Sequence, residues 1–156
     1  MLTVNLRHLD AHAVRLSGEL SPAELDFGLN DRMIRAERPL KYDLTVEKLN
    51  DALLVSGWLR LVLDCECVRC LKPFRQRVEL PHWAVHLPLS GEDRVSLEND
   101  CADLTPYVRE DMLLEFPRHP LCKAECEGLK PGKARKAGGP SEAKSSAWAE
   151  LDKLKL

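Results

Sequence analysis

The sequence contains no long apolar run, no secretion-type start and no large excess of either charge. A membrane-spanning helix needs about 20 consecutive apolar residues, so we expect no membrane segment and no membrane partner. The first 16 residues contain no apolar core of a secretory leader. The 23 Lys and Arg residues nearly balance 25 Asp and Glu residues, for a formal net charge of −2. This balance excludes a strongly basic, histone-like nucleic-acid binder. Six cysteines in a chain without a secretory leader predict a reducing compartment such as the cytoplasm.

Motifs of common enzymes are also missing. The sequence has neither the G-x-S-x-G of hydrolases nor the H-E-x-x-H of zinc proteases. The stretch from Gly128 to Lys133 is one residue short of a phosphate-binding loop and lacks the Ser or Thr that would hold Mg²⁺. A nucleophilic cysteine would need a general base, and His119 is the only local candidate. We therefore predict no enzyme activity and no small-molecule substrate.

What is present predicts an α+β fold, with a mainly antiparallel sheet that is curled or barrel-like. The length of 156 residues, with 44% hydrophobic and 31% charged residues, suits one compact domain. Apolar residues alternate with polar ones in several segments, which is typical of half-buried strands, and Asn50-Asp51 is a turn signal between two of them. The predicted strands lie near residues 2–6, 14–16, 42–46, 53–63 and 75–89.

The second half is predicted to be helical and then irregular. Apolar residues at four-residue spacing, with Pro106 in the first turn and Pro117 at the end, predict an amphipathic helix over about 104–116. Residues 1–126 are then one α+β domain that carries two cysteine pairs. Residues 127–156 are a flexible basic linker and a short C-terminal docking helix around Trp148.

Two cysteine pairs are the strongest chemical signal. Cys67 and Cys70 are spaced C-x2-C, while Cys122 and Cys126 are spaced C-x3-C, with 51 residues between the pairs. Both spacings allow two thiolates to bind one tetrahedral Zn²⁺ from a turn. The alternative is four free thiols. Other candidate ligands lie nearby in sequence, namely Cys65 and His119, whereas Cys101 stands alone.

Two groups of basic residues are candidate nucleic-acid contacts. The first lies beside the first cysteine pair and the second in the linker: Lys72, Arg75 and Arg77, then Lys130, Lys133, Arg135 and Lys136. Such residues suit phosphate contacts, which add affinity without reading sequence. The alternative is that they are solvated charges on a strand edge and a linker.

Four segments together resemble the YceD-like family, the large ribosomal RNA subunit accumulation proteins. They are C-x-R-C-L-x-x-F at 67–74, D-L-x-x-x-V-R-E-x-x-L-L-x-x-P at 103–117, H-P-L-C-x-x-x-C-x-G-L at 119–129 and W-x-x-L-x-x-L at 148–154. The resemblance implies a non-catalytic ribosome-biogenesis factor, bacterial or organellar, that supports accumulation of the large-subunit ribosomal RNA. It also implies a partner that is either ribosomal RNA or a ribosome-assembly protein.

One departure from the family concerns zinc. Many members continue after G-L with two further cysteines, in C-P-x-C-G, whereas here Lys130 and Lys133 stand in that stretch. Two interpretations remain at this point: the other four cysteines bind one zinc ion, or this branch has lost it. The competing functional hypothesis is a zinc-bearing protein–protein interaction module without RNA contact.

Overall fold

The computed structural model describes residues 1–9, 12–29 and 31–129. Within these ranges the strands are β1 (Thr3–Asn5), β2 (Val14–Leu20), β3 (Ile34–Arg35), β4 (Leu40–Leu49), β5 (Ala52–Glu66), β6 (Pro73–Pro88), β7 (Leu97–Glu98) and β8 (Cys101–Asp103). The helices are α1 (Pro22–Leu25) and α2 (Thr105–Leu114), with a 3-10 turn at Leu6–His8. Every strand pair is antiparallel, so the α+β prediction is confirmed.

The long strand β5 is the centre of a curled, half-barrel sheet of five strands. One edge of β5 pairs first with β4 and, further along, with β3, while the other edge pairs with β6. Strand β2 extends the sheet beyond β4. A second, small sheet has the order β1-β8-β7 and joins the start of the chain to the segment before α2.

Strand alternation divides the large sheet into a buried inner face and an exposed outer face. On β5 the odd-numbered side chains point into the core, and six of them are at most 1% exposed: Leu53, Val55, Leu59, Leu61, Leu63 and Cys65. The residues between them, among them Trp58, Arg60 and Asp64, lie on the outer face because successive side chains point to opposite sides. The sequence predicted this division correctly for β5.

A bulge opposite Trp58 shifts the register of β6. Gly57 pairs with Trp83 but Leu59 pairs with Leu80, so two residues of β6 oppose Trp58. A Cβ on Gly57 would lie 2.1 Å from the Asp43 carbonyl oxygen, so only glycine fits this close approach of β4 and β5.

Helix α2 covers one end of the core. Val108 and Met112 are fully buried, and Trp83 Nε1–H donates to Asp111 Oδ2 at 2.6 Å, which ties the helix to β6. The Leu2 N–H donates to Thr105 Oγ1 at 2.9 Å, so the start of the helix also holds β1. The predicted helix is confirmed, although it ends at Leu114, two residues before the predicted end.

The remaining predictions of the C-terminal region lie mainly outside the described residues. These are the basic linker from residue 130 onward, its four cations Lys130, Lys133, Arg135 and Lys136, and the short helix around Trp148. The division into a 1–126 domain and a 127–156 tail therefore stays a prediction. Among the helices that the structure describes, none has the length and apolarity needed to cross a membrane.

Candidate metal centre

The two cysteine pairs meet at the end of the β5–β6 hairpin. The four sulfur atoms of Cys67, Cys70, Cys122 and Cys126 all lie within 4.8 Å of one another. Cys67 Sγ is 3.7 Å from Cys126 Sγ, and Cys70 Sγ is 3.7 Å from Cys122 Sγ. A disulfide would bring two sulfurs to about 2.05 Å, so these are free thiols. Four sulfurs at about 2.3 Å from a tetrahedral zinc ion are about 3.8 Å apart, so the spacing fits such an ion.

The first pair is presented by the tight turn between β5 and β6. The Leu71 N–H donates to the Cys67 carbonyl at 2.8 Å, and the Cys67 N–H donates to the Lys72 carbonyl at 3.0 Å. Leu71 adopts a left-handed conformation with φ +58°, which reverses the chain directly after Cys70. Hydrogen bonds within the turn thus hold Cys67 and Cys70 close together.

The second pair is carried by the irregular segment after α2. The Val68 N–H donates to the Pro120 carbonyl at 3.0 Å, and Arg69 Nη1 donates to the Cys126 carbonyl at 3.2 Å. Gly128 follows with φ +81°, and a Cβ there would lie 3.5 Å from the Arg69 carbonyl oxygen. Protein hydrogen bonds therefore hold the second pair against the first turn on both sides of the sulfurs.

The electrostatics of the site differ between the two pairs. The backbone N–H of Cys122, followed by those of Cys70 and Arg69, hydrogen-bonds the fully buried Cys67 sulfur and lowers the pKa of Cys67 to about 6. Burial, and then the neighbouring sulfurs of Cys70 and Cys126, raise the pKa of Cys122 to about 12. One thiolate is thus favoured, while further negative charge in the cluster is disfavoured without a cation. A divalent metal ion would supply the positive charge that compensates the additional thiolates.

The alternative ligands that the sequence left open lie outside the four-sulfur group. Cys65 is buried in the sheet core between Ile34 and Phe74 on the neighbouring strands, and burial raises the pKa of its thiol. His119 has an exposed side chain, and Cys101 is a half-buried residue of β8 in the other sheet.

The predicted basic residues near the first turn are exposed, and two of them are ion-paired. Arg75 Nε lies 3.5 Å from Asp64 Oδ1, and Arg77 Nε lies 3.6 Å from Glu79 Oε1. Lys72 is exposed at the end of the turn. The sequence did not predict these ion pairs, because the Arg75–Asp64 pair joins different strands and depends on the register of the hairpin.

The fold and the site define a class: a half-barrel α+β protein with a four-cysteine centre at the tip of its longest hairpin. Within that class, residues 55–155 match the family described as large ribosomal RNA subunit accumulation protein YceD, and the chain belongs to this family. The predicted family is therefore confirmed, and the family name links the chain to ribosomal RNA accumulation.

Several curated relatives come from mycobacteria. Uncharacterised proteins of Mycobacterium bovis and Mycobacterium tuberculosis are each 31% identical over 143 residues, which cover 84% of this chain and 68% of theirs. An uncharacterised protein of Mycobacterium leprae is 27% identical over 116 residues, covering 69% of this chain and 54% of its own. No solved structure shows a significant match.

Proposed function

We propose that the protein is a non-catalytic ribosome-biogenesis factor of the cytoplasm that supports accumulation of large-subunit ribosomal RNA. The observation that carries the proposal is the family membership over residues 55–155, since the family is named for this role. Its partner is ribosomal RNA or a ribosome-assembly protein, without a small-molecule substrate or a membrane.

We further propose that Cys67, Cys70, Cys122 and Cys126 hold one structural zinc ion. Four sulfurs within 4.8 Å provide all the ligands of a closed tetrahedral site and leave no position for a substrate. When bound, the ion ties the hairpin tip to the segment after α2. The four thiols act as ligands rather than nucleophiles in this proposal, since the candidate general base, His119, lies outside the sulfur group.

Deletion and complementation test the function. In a bacterial host, deletion of the gene should lower the ratio of large- to small-subunit ribosomal RNA, and the wild-type gene should restore that ratio. Cys67→Ser should restore it less well, because it removes a zinc ligand, whereas Cys101→Ser should restore it fully. A deletion strain with an unchanged ratio would contradict the proposed function.

A second candidate function is a zinc-bearing module that binds another protein without RNA contact. It is favoured by apolar side chains that are exposed around the cysteine turns: Val68 is 39% exposed, Leu71 is 54% and Leu129 is 65%. The two candidates differ in a pull-down with and without ribonuclease. Partners that survive ribonuclease treatment and disappear in Leu71→Ser would support the protein-binding module.

A further inference from the structure

Trp58 is an aromatic side chain on the exposed face of the large sheet. Trp83 is only 5% exposed and anchors α2, but Trp58 is half-buried on the opposite side of the strands. The Arg60 guanidinium lies over its ring, with Cζ 5.3 Å from the ring centroid. A depression of about 220 Å³ beside it is lined by Trp58, Leu59, Arg60, Glu79 and Pro81. The indole therefore lies outside the buried core and is partly open to solvent, with the Arg60 guanidinium over its ring.

The carboxylates near Trp58 are already bonded to arginines. Asp43 pairs with Trp58 across the β4–β5 ladder, and its Oδ1 accepts from Arg15 Nε at 2.7 Å. Hydrogen bonding from Arg15 lowers the pKa of Asp43, in keeping with a carboxylate that is neutralised by its partner. Asp43 therefore does not leave an unpaired negative charge beside the ring.

Further along the same face, four arginines share two carboxylates. Arg38 and Arg75 lie 3.2 Å and 3.5 Å from Asp64, while Arg60 and Arg77 lie 2.6 Å and 3.6 Å from Glu79. Each carboxylate balances one of its two guanidiniums, so these six side chains together carry a net charge of +2. All four side chains are more than 40% exposed, so they are accessible to an anionic ligand.

The aromatic ring and the arginines form one continuous track along β5. Trp58, Arg60 and Asp64 follow one another on the outer face, and the distance from Trp58 to Asp64 is about 20 Å at roughly 3.3 Å per residue. Arg75 pairs with Asp64 across the β5–β6 ladder, close to the cysteine turn. The track therefore runs from Trp58 toward the cysteine turn and ends at Asp64 and Arg75, with Glu66 between it and Cys67.

We propose that this track binds single-stranded RNA: one base replaces the Arg60 guanidinium on the Trp58 ring, and Arg60, Arg77 and Arg75 contact phosphates. Single-stranded nucleic acid is bound by a positively charged surface together with aromatic rings on which bases stack. A duplex offers no unstacked base to the ring, so the track prefers single strands. The proposal rests on the proposed role in ribosomal RNA accumulation and names the surface that performs it.

Binding of a fluorescein-labelled single-stranded RNA of mixed sequence to the full chain tests the proposal, with an RNA duplex of equal length for comparison. Trp58→Ala should weaken single-strand binding roughly 5- to 150-fold, the usual range for loss of one stacked base, and Trp58→Phe should retain most of it. Arg60→Ala should reduce the slope of log K against log salt by about 0.7. Thermal melting of each variant shows whether it is folded.

A matched pair of charge variants distinguishes RNA binding at the track from a general effect of the protein's net charge. Glu79→Gln frees Arg60 and Arg77 for phosphate and should tighten RNA binding. Glu98→Gln makes the same charge change on β7 of the other sheet and should leave binding almost unchanged. Equal effects of the two variants, or equal binding of the duplex, would overturn the proposal.

Complementation distinguishes a wrong track from a wrong function. If deletion lowers large-subunit ribosomal RNA but the Trp58→Ala gene restores it fully, the track is not used and the proposed function still stands. If deletion has no effect, the proposed function itself fails. Loss in Trp58→Ala of a partner that survives ribonuclease would show that this face binds protein, which also overturns the RNA site.

Discussion

If the four cysteines hold zinc as proposed, removal of the ion should weaken the protein without unfolding it. The link from Cys70 to Cys122 joins residues 52 positions apart in the chain. Treated as a cross-link on the unfolded chain, closure of a loop of this length contributes about 4 kcal/mol of stability. The sheet core and α2 are also held together by buried apolar side chains that do not depend on the metal, so they should persist. We therefore expect zinc removal to lower the melting temperature by about 15 °C, rather than to abolish folding as it does in zinc-finger peptides.

The assay combines elemental analysis with thermal melting of protein purified anaerobically without chelator. Wild-type protein should carry about one zinc equivalent. Cys67→Ser and Cys122→Ser should each release the metal and melt at the lower temperature. The Cys101→Ser variant should keep both the metal and the wild-type melting temperature, because Cys101 lies on β8 in the small sheet, outside the four-sulfur group. Wild-type protein without metal, or a melting temperature that chelation does not change, would refute the reasoning.

Two further variants test the packing of the large sheet. Gly57→Ala should destabilise the protein by about 2–4 kcal/mol in urea unfolding, because the new Cβ would overlap the backbone of β4. As a control, the new Cβ of Gly91→Ala meets open space, so this variant should lose only about 1 kcal/mol of stability, from its φ of +92° alone. Trp83→Phe should cost about 1.5–3 kcal/mol, because it removes the hydrogen bond to the Asp111 carboxylate; a loss below about 0.5 kcal/mol would show that this bond does not hold α2 on β6.

Local patterns in the sequence predicted the parts of the fold that depend on one segment. The alternation along β5 and the four-residue spacing of α2 both report which face is buried, and both predictions are confirmed. The cysteine spacings likewise predicted a shared site. The approach of residues 122–126 to the hairpin tip could not be predicted. It depends on hydrogen bonds between distant segments, such as that from the Val68 N–H to the Pro120 carbonyl, and no local pattern encodes them.

The sequence analysis missed the short strands, the short helix α1 and the ion pairs between strands. Strands β7 and β8 have two and three residues, too few for an alternating pattern, and β8 is held by its pairing with β1. Helix α1 was also missed, although Ser21 and Glu24 form a capping box whose spacing is visible in the sequence. The Arg75–Asp64 and Arg60–Glu79 pairs depend on the register between β5 and β6, which the bulge opposite Trp58 shifts.

Strand β4 has a consequence for how this family can diverge. The family match begins at residue 55. However, nine consecutive residues of β5, from Ala52 to Arg60, pair with β4, which lies before that point in the chain. Ladder hydrogen bonds use only backbone groups, so what β4 must supply is the alternation that buries Leu40, Leu44 and Val46, and this alternation forms no sequence motif. The four cysteines, in contrast, come together through their sulfur atoms, so a substitution at any of them removes a candidate ligand. A chain shortened to start at residue 55 would therefore keep every cysteine of the centre and still expose a bare strand edge, so it should aggregate rather than behave as a smaller version of the protein.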